Sequence, residues 1–597
     1  MNDDAGLKPS PFPAEWRQQT AGETGADPVL HTGEASGGKP PHPDPLPKER
    51  ENSRLSAGES DTVGIVESPS SLPPLPLGEG RGEGDLSAAT APNTDLHSSK
   101  TPELEGSRQV GTPRFTDRGA DASSACSIGT EARGRAVPAP MKGLEQALWI
   151  LVAAGAFHAA YAWGKASWLM IVYLFALLQL ARSGSWRKTY YAGLAVGFLI
   201  ATIRLAFFWR IFSGGAIGLW YVYAFWIGLF VALAGVWLKA PVFAWRWLLI
   251  PFLWTGLEYF RSELYYLRFS WLSPGYAFGA GPGLTPLKGL GAYGIGFVLT
   301  GLACAAAFCW EKSKVRSLAV LALAAGMAGL AGWWQREGDS SAPIAAIRVG
   351  AVQLECPAEN EVLLGLDHLL RQQPDLDLIV LSEYTFFDQV PERVKAWCRK
   401  NRRYLVVGAE DPVSPKNYRN TVFVIGPSGD VVFRQAKAVP IQFFRDGLPA
   451  AEQKLWDSPW GRIGICVCYD LSYTRVTDRL VRLGAQALIV PTMDVMDWGR
   501  RQHELHARIA PARAVEYGIP IFRVASSGIS QLVDGTGHIL AAGPCGEQGA
   551  SIVGTLALRR PGTLPPDRWL APLSTGVTLV VVLWLLFRRF APHSHAS

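Results

Sequence analysis

The sequence predicts a polytopic α-helical membrane bundle of about eight spans joined to a layered α/β domain. Three observations predict it. The 597-residue chain is 48% hydrophobic and holds 22 tryptophans, too apolar and aromatic for an ordinary soluble protein. Apolar runs near the ~20 residues that cross a bilayer recur between residues 144 and 334 and once more at 569–587. From Ile347 to about Arg560 the pattern changes to short β-rich runs alternating with helix-like stretches.

Residues 1–140 are rich in Pro, Gly, Ser and charge with almost no apolar periodicity, so they are expected to be a disordered, low-complexity extension. Two similar phrases, Pro41–Lys48 and Pro73–Gly80, read as low-complexity repeats, and no signal-peptide pattern precedes them. Met141, with Lys142 beside it, stands directly before the first apolar segment and is the expected start of translation. The alternative is an unstructured cytoplasmic tail.

The membrane region, 141–335, holds seven apolar segments at about 144–163, 166–181, 190–209, 216–238, 242–260, 290–310 and 318–334, and an eighth lies at 569–588. Trp and Tyr crowd their ends as interfacial anchors. Arg182, Arg187 and Lys188 follow the second segment, Lys239 and Arg246 the fourth, Lys312, Lys314 and Arg316 the sixth, and Arg588 and Arg589 the eighth. The short odd-numbered loops carry only Lys165 and Arg210. By the positive-inside rule both ends of the bundle are cytoplasmic, and the loop 261–289 and the α/β domain lie outside the cytoplasm. Arg204 and Glu258 fall within or near apolar runs and are expected to face the bundle or a polar cavity, with snorkelling to the interface the other reading for Arg204. The aromatic, turn-rich loop Phe269–Tyr276, with Gly279, Gly281 and Gly283, is expected to dip into the outer leaflet beside the soluble domain.

The α/β domain is expected over 345–562. Strands are predicted at 347–353, 378–381, 404–408, 420–425, 431–435, 463–468, 487–490 and 519–525, and helices at 360–372, 393–401, 474–483 and 498–517. Pro427–Asp430 and Asp534-Gly535 mark hairpin turns. Three predicted strand ends carry chemistry: Glu383 follows Leu378–Leu381, Lys437 follows Val431–Gln435, and Cys468 closes the apolar run from Ile463. In α/β sheets the carboxyl edge is where ligands bind. A thiol of ordinary pKa, about 8.5, is mostly protonated at neutral pH, so a carboxylate in reach can take its proton during attack. A lysine and the N–H of Tyr469 can then stabilise the oxyanion. Each residue also has a plain reading: Glu383 and Lys437 as surface charges, Cys466 and Cys468 as small core side chains. Cys466 and Cys468 are two apart on the predicted strand and point to one side, so the pattern does not choose between them.

The formal charge of +6 is small for this length and implies no nucleic-acid partner. The eight cysteines (Cys126, Cys304, Cys309, Cys356, Cys398, Cys466, Cys468 and Cys545) have neither CxxC spacing nor a metal-ligand cluster, so neither a metal nor a disulfide framework is expected. His503 and His506 form H-E-L-H, not H-E-x-x-H, and read as helix-surface or structural residues.

Glu383, then Lys437, then Cys468 followed by Tyr469 and Asp470, resembles the nitrilase superfamily, whose fold is an αββα sandwich. Set among eight spans, it resembles that superfamily's membrane-embedded branch, the apolipoprotein N-acyltransferases. The likeness runs from Met141 to the C-terminus and includes Phe269-Ser-Trp271, Gly275-Tyr276, Gly291–Gly294, Val352-Gln353, Gln502-His503, Ala507-Arg508, Arg513-Ala514, Glu516, Gly518, Pro520, Arg523 and Gly528–Ser530. It implies Glu383 as general base, Lys437 as oxyanion-stabilising lysine and Cys468 as nucleophile, supported by Tyr469 and Asp470, with no cofactor. It also implies a phospholipid acyl donor, a diacylated apolipoprotein acceptor, and a bacterial inner-membrane location with the catalytic domain on the periplasmic side. Ser382 stands where the family has proline before the base, Ser526 where it often has asparagine, and Pro440–Gly447 where it has a lid element with a second glutamate. Asp446 is the candidate for that glutamate's place. Two rival functions remain at this level: a membrane-anchored amidase passing the acyl group to water, and a transporter or scaffold whose soluble domain has lost catalysis.

Overall fold

The computed structural model describes residues 143–239, 246–279, 286–310, 312–334, 342–546 and 549–590. The expected extension 1–140, the start at Met141, Gly281 and Gly283 lie outside them.

Among the described residues each of the eight apolar segments carries helix, the third of them two helices: α1 (Gly143–Ala162), α2 (Leu169–Ala181), α3 (Trp186–Arg204), the short α4 (Phe207–Phe212), α5 (Gly215–Lys239), α6 (Ile250–Tyr259), α7 (Pro286–Trp310), α8 (Lys314–Trp334) and, after the α/β domain, Asp567–Phe590. Four of these, in α1, α5, α7 and Asp567–Arg588, are long and apolar enough to cross a membrane, while α2 is a shorter apolar helix. Glu258 is buried and accepts from the Ser273 hydroxyl. Arg204 is half-buried and donates to the ring and carbonyl of His158. Both thus find polar partners within the bundle, as an intramembrane charge requires.

The α/β domain contains two six-stranded sheets. In the first, β1 (Ala345–Val352), β2 (Leu378–Val380) and β3 (Tyr404–Ser414) are parallel neighbours, extended by antiparallel β4 (Asn417–Ile425) and β5 (Val431–Ala436). In the second, β7 (Gly461–Ile465), β8 (Ala487–Thr492) and β9 (Ile521–Ala525) are parallel, flanked by antiparallel β6 (Leu455–Ser458) on one side and β10 (Gln531–Val533) and β11 (Ile539–Ala542) on the other. The last strand, β12 (Ser551–Leu558), returns to pair with β1. β6, β10, β11 and β12 are absent from the sequence-based prediction because each is short or at an edge and lacks a long apolar run.

Period-2 alternation sorts the first sheet's side chains between two cores. Leu378 and Val380 share a cluster with Ile463, Ile465 and Leu488 of the second sheet. Ile379 and Leu381 pack with Val362, Leu366 and Leu369 of α9 (Glu359–Gln372) and with Val394 and Cys398 of α10 (Glu392–Asn401). Leu480 and Val481 of α11 (Thr474–Arg482) and Ala510 and Ala514 lie against the second sheet. The layers are therefore helix, sheet, sheet, helix. The single helix predicted over 498–517 is two, α12 (Arg500–Ala507) and α13 (Ile509–Tyr517), joined at Arg508. The predicted strand 463–468 stops at Ile465, and Cys468 opens a short 3-10 turn, Cys468–Ser472.

Buried ionic contacts tie the α/β domain to the bundle. α7 is interrupted at Gly291, whose φ of +72° is a left-handed conformation that favours glycine. Beyond the break the N–H of Ala292 donates to Glu516 at 2.7 Å and that of Tyr293 to Asp567 at 3.0 Å, as a helix N-terminus accommodates carboxylates. Arg568 then bonds Asp478 at 2.8 Å, Asp567 at 2.6 Å and Glu516 at 3.2 Å, while Arg513 pairs with Glu516 at 2.5 Å. Gly291→Ala is expected to lower the apparent melting temperature of the detergent-solubilised protein, since a Cβ there is both strained and driven into the Asp567 carboxylate. Gly289→Ala, whose Cβ would meet nothing within 4 Å, is the control, and equal melting of the two variants would contradict this reading of the break.

Candidate active site

Glu383, Lys437 and Asp446, far apart in sequence, meet at the carboxyl edge of the first sheet. Three residues beyond Val380 the chain lies close over β3, where a Cβ on Gly408 would stand 2.6 Å from the Glu383 Cα. The Glu383 carboxylate is buried; Oε1 accepts from Lys437 Nζ at 2.8 Å and Asn420 Nδ2 at 2.6 Å, and Oε2 from the Met493 N–H at 2.7 Å. Lys437 Nζ makes a second ion pair with Asp446 Oδ2 at 2.7 Å, and both lysine and glutamate side chains are 1% exposed. Asp446 is fixed in turn by Tyr384 Oη at 3.0 Å, Asn420 Nδ2 at 2.8 Å and the Ile441 N–H at 2.8 Å. Burial opposes the lysine's charge, but Asp446 and then Glu383 outweigh it and hold its pKa well above the ordinary lysine value. Two of the three ammonium protons are thereby used, leaving a third for another acceptor. Removing one member of such a buried ionic group typically costs ~3–5 kcal/mol, because the rest stay buried and uncompensated.

Cys468 faces this cluster from the second sheet. It is a non-glycine residue at φ +53°, in the sparsely populated left-handed region that recurs at functional sites. Its thiol is buried, with Sγ 3.8 Å from the Met493 carbonyl. Burial pushes its pKa well up, and the neighbouring Glu383 charge pushes it further, against a smaller opposing pull from Lys437. The thiol is therefore protonated at neutral pH and needs a base to attack. Cys466, expected to share a strand and a direction with Cys468, lies like it beyond the end of β7; it is in the core and does not line the cavity described below.

Asp470 shapes the turn. Its Oδ2 accepts from Ala438 N–H at 2.9 Å and Val467 N–H at 3.3 Å, and its Oδ1 from Val439 N–H at 2.8 Å. One side chain thus pins the lysine-bearing segment of one sheet to the cysteine-bearing turn of the other. Burial pushes its pKa up to about 6 against the pull of these N–H groups and Lys437, so it is ionised above that pH. Tyr469 points the other way, packing edge-on against Trp271 at 5.6 Å and Tyr473 at 5.0 Å and donating to the Arg268 carbonyl at 3.3 Å. Tyr469 is therefore a contact to the membrane-side loop, and its backbone N–H sits one residue after the thiol.

The structure brings the strand-end residues Glu383 and Lys437 together, and beside them Asn420 and Asp494, which strand-end reasoning did not single out. Asp494 follows β8 just as Glu383 follows β2, so the same signal was there to find. It pairs with Arg523 at 2.5 Å and His506 at 2.8 Å and accepts from Gln502 at 3.0 Å. The His506 ring stacks on Trp271 at 4.7 Å. Trp271 Nε1 donates to Ser472 at 2.9 Å, so the loop from the bundle is stitched to the nucleophile turn and to α12 at once. His503 bonds the Cys545 sulfur and the Val495 carbonyl, and no cluster of three potential metal ligands occurs among the described residues. Ser382, in the place of the family's proline, donates to the Leu354 carbonyl at 3.2 Å.

An apolar cavity of about 130 Å³ opens on the thiol. Cys468, Tyr469 and His506 line it from the α/β domain, and Phe207, Tyr223 and Trp271 from the bundle. A nucleophile, a carboxylate, a charged lysine and an apolar channel toward the membrane half can together carry out acyl transfer through a thioester.

The carbon-nitrogen hydrolase family model matches residues 371–558, and the model of the apolipoprotein N-acyltransferase N-terminal domain matches residues 151–306. The chain is 26% identical to an apolipoprotein N-acyltransferase of Geobacter metallireducens over 340 residues, covering 49% of this chain and 65% of that protein. It is 27% identical to one of Ralstonia nicotianae over 405 residues, covering 59% and 72%. A solved carbon-nitrogen hydrolase of Helicobacter pylori G27 matches 42% of this chain and 96% of its own at 18% identity, with a TM-score of 0.32. Both halves of the chain are thus matched, and the hydrolase match encloses the Glu383–Lys437–Cys468 constellation, so over these regions the chain is similar to the apolipoprotein N-acyltransferases.

Proposed function

We propose that this enzyme moves a fatty acyl chain from a phospholipid, through a thioester on Cys468, to the N-terminal amine of a diacylglyceryl-cysteine in an apolipoprotein. The observation that carries the reading is the joint lining of the cavity: the thiol opens into an apolar space whose other walls come from the helical bundle. A soluble amidase substrate needs no such wall, whereas an acyl chain entering from a bilayer does.

Each role follows from the contacts. Glu383 spends Oε1 on Lys437 and Asn420 and one lone pair of Oε2 on Met493, which leaves Oε2 able to take the thiol proton. As Sγ attacks the ester carbonyl carbon, the third N–H of Lys437 and the Tyr469 N–H stabilise the oxyanion. Collapse of the tetrahedral intermediate breaks the ester C–O bond, and the glutamic acid returns its proton to the departing glycerol oxygen. In the second half-reaction the lipoprotein amine attacks the thioester carbonyl and Glu383 accepts its proton. The C–S bond breaks, the thiol is reprotonated and an amide remains. Asp446 holds Lys437 in register, in the place of the family's lid glutamate. The domain organisation expected from the sequence, and a periplasmic placement at the bacterial inner membrane, fit a reaction between two lipid substrates without extracting either into water.

Purified protein incubated with labelled phospholipid and a diacylated lipopeptide should yield a labelled amide on the peptide. Free fatty acid or ammonia alone would instead identify a hydrolase. Glu383→Gln should slow acylation by roughly 10²–10⁴-fold, the usual contribution of a general base, and unchanged turnover would assign the base elsewhere. Because the thiol's pKa is raised, alkylation of Cys468 by iodoacetamide should keep rising beyond pH 9. A plateau near neutrality would show a preformed thiolate and contradict the base-dependent mechanism.

A further inference from the structure

A second, polar cavity of about 480 Å³ lies where α1 and α3 meet α12, and shares no lining residue with the one that holds the thiol. Three arginines line it: Arg204 at the end of α3, Arg501 on α12, and Arg508 at the joint between α12 and α13. Arg508 Nη2 donates to the Tyr161 carbonyl at 2.5 Å, and the guanidinium groups of Arg508 and Arg204 stand 5.2 and 5.7 Å from the same Tyr161 ring. Arg501 is held by the Ile203 carbonyl at 2.8 Å. Glu504, the one acid among the described lining residues, pairs with Arg500 at 2.8 Å. Arg508 Nη1 is buried with no hydrogen-bond partner. Three cations held within one cavity repel one another, and a buried donor without an acceptor is costly, so the site is built for an anion.

What kind of anion follows from the cavity below. A groove of about 360 Å³ shares Ala162, Arg204 and Arg501 with the arginine pocket and runs along α1 and α3 past Gly155, Ala159 and Trp163. Trp163 and Ile203 beside it are exposed apolar side chains, 66% and 45% accessible. We propose that this pair of cavities binds an anionic phospholipid, its phosphate among Arg204, Arg501 and Arg508 and one acyl chain in the α1–α3 groove. A free phosphate has no use for the groove. Guanidinium forks suit a phosphate diester, and the +2 balance of three arginines and one glutamate favours a headgroup with net negative charge. Such a lipid bridges bundle and catalytic domain on the side away from the thiol, adding a lipid-dependent hold on α12, the helix that carries His506.

Native mass spectrometry of the full chain in detergent, with added phosphatidylglycerol or phosphatidylethanolamine, tests this. The protein should retain phosphatidylglycerol preferentially, and Arg501→Ser and Arg508→Gln should each weaken retention by on the order of tenfold. Arg501 is exposed, so its variant should fold; an unchanged melting temperature and Cys468 alkylation rate would show that it does. Retention unchanged in both variants, or equal for the two lipids, would overturn the proposal. So would binding of inorganic phosphate that the variants abolish while lipid retention stays intact.

Discussion

A buried lysine held between two carboxylates is the constraint around which the catalytic domain is arranged. Lys437, at 1% exposure, is paired with Glu383 at 2.8 Å and Asp446 at 2.7 Å, as a buried charge requires. Its pairing fixes the Glu383 carboxylate in place, and Asn420 bridges the two carboxylates from β4. The position of the thiol follows from the same cluster. Asp470 ties the segment after Lys437 to the turn that carries Cys468, so the lysine-bearing and thiol-bearing segments of the two sheets are joined by one side chain.

The membrane half contributes more than an anchor. Trp271 reaches from the loop after α6 to stack on His506 and to bond Ser472, while Tyr469 packs back on Trp271. The nucleophile turn is therefore roofed by a bundle side chain. Behind it the broken helix at Gly291 presents backbone N–H groups to Glu516 and Asp567. The geometry of the site thus depends on docking, and the apolar cavity exists only because the two halves meet.

The layered α/β class and the helical, apolar character of the bundle were legible because apolar patterning is carried by the sequence itself. Glu383 and Lys437 each sit just after a recognisable apolar strand. Cys468 was placed on a strand because Ile463–Val467 is uniformly apolar, but the strand ends at Ile465; Asp470 accepting from Val467 N–H and from the neighbouring segment turns the chain earlier, a tertiary effect. The break at Arg508 has a local mark in Pro511, which lacks the N–H that would bond the Ala507 carbonyl and so fits only the first turn of a new helix. Asn420 lay inside a predicted strand with nothing local to mark it. β6, β10, β11 and β12 escaped because each is short or lies at a sheet edge and lacks a long apolar run. Among the described residues four helices meet the length and apolarity needed to cross a membrane, and α2 and α6 are shorter than the apolar runs that predicted them.

The central claim is a covalent acyl-enzyme on one of two neighbouring thiols. Mixing the protein with phospholipid in the absence of any lipoprotein acceptor, then measuring intact mass and mapping the modified peptide, tests it most directly. The account predicts a mass increase of one acyl group, carried by Cys468, labile to hydroxylamine and retained in Cys466→Ala. An adduct on Cys466, or no adduct while transfer still proceeds when acceptor is added, would contradict it.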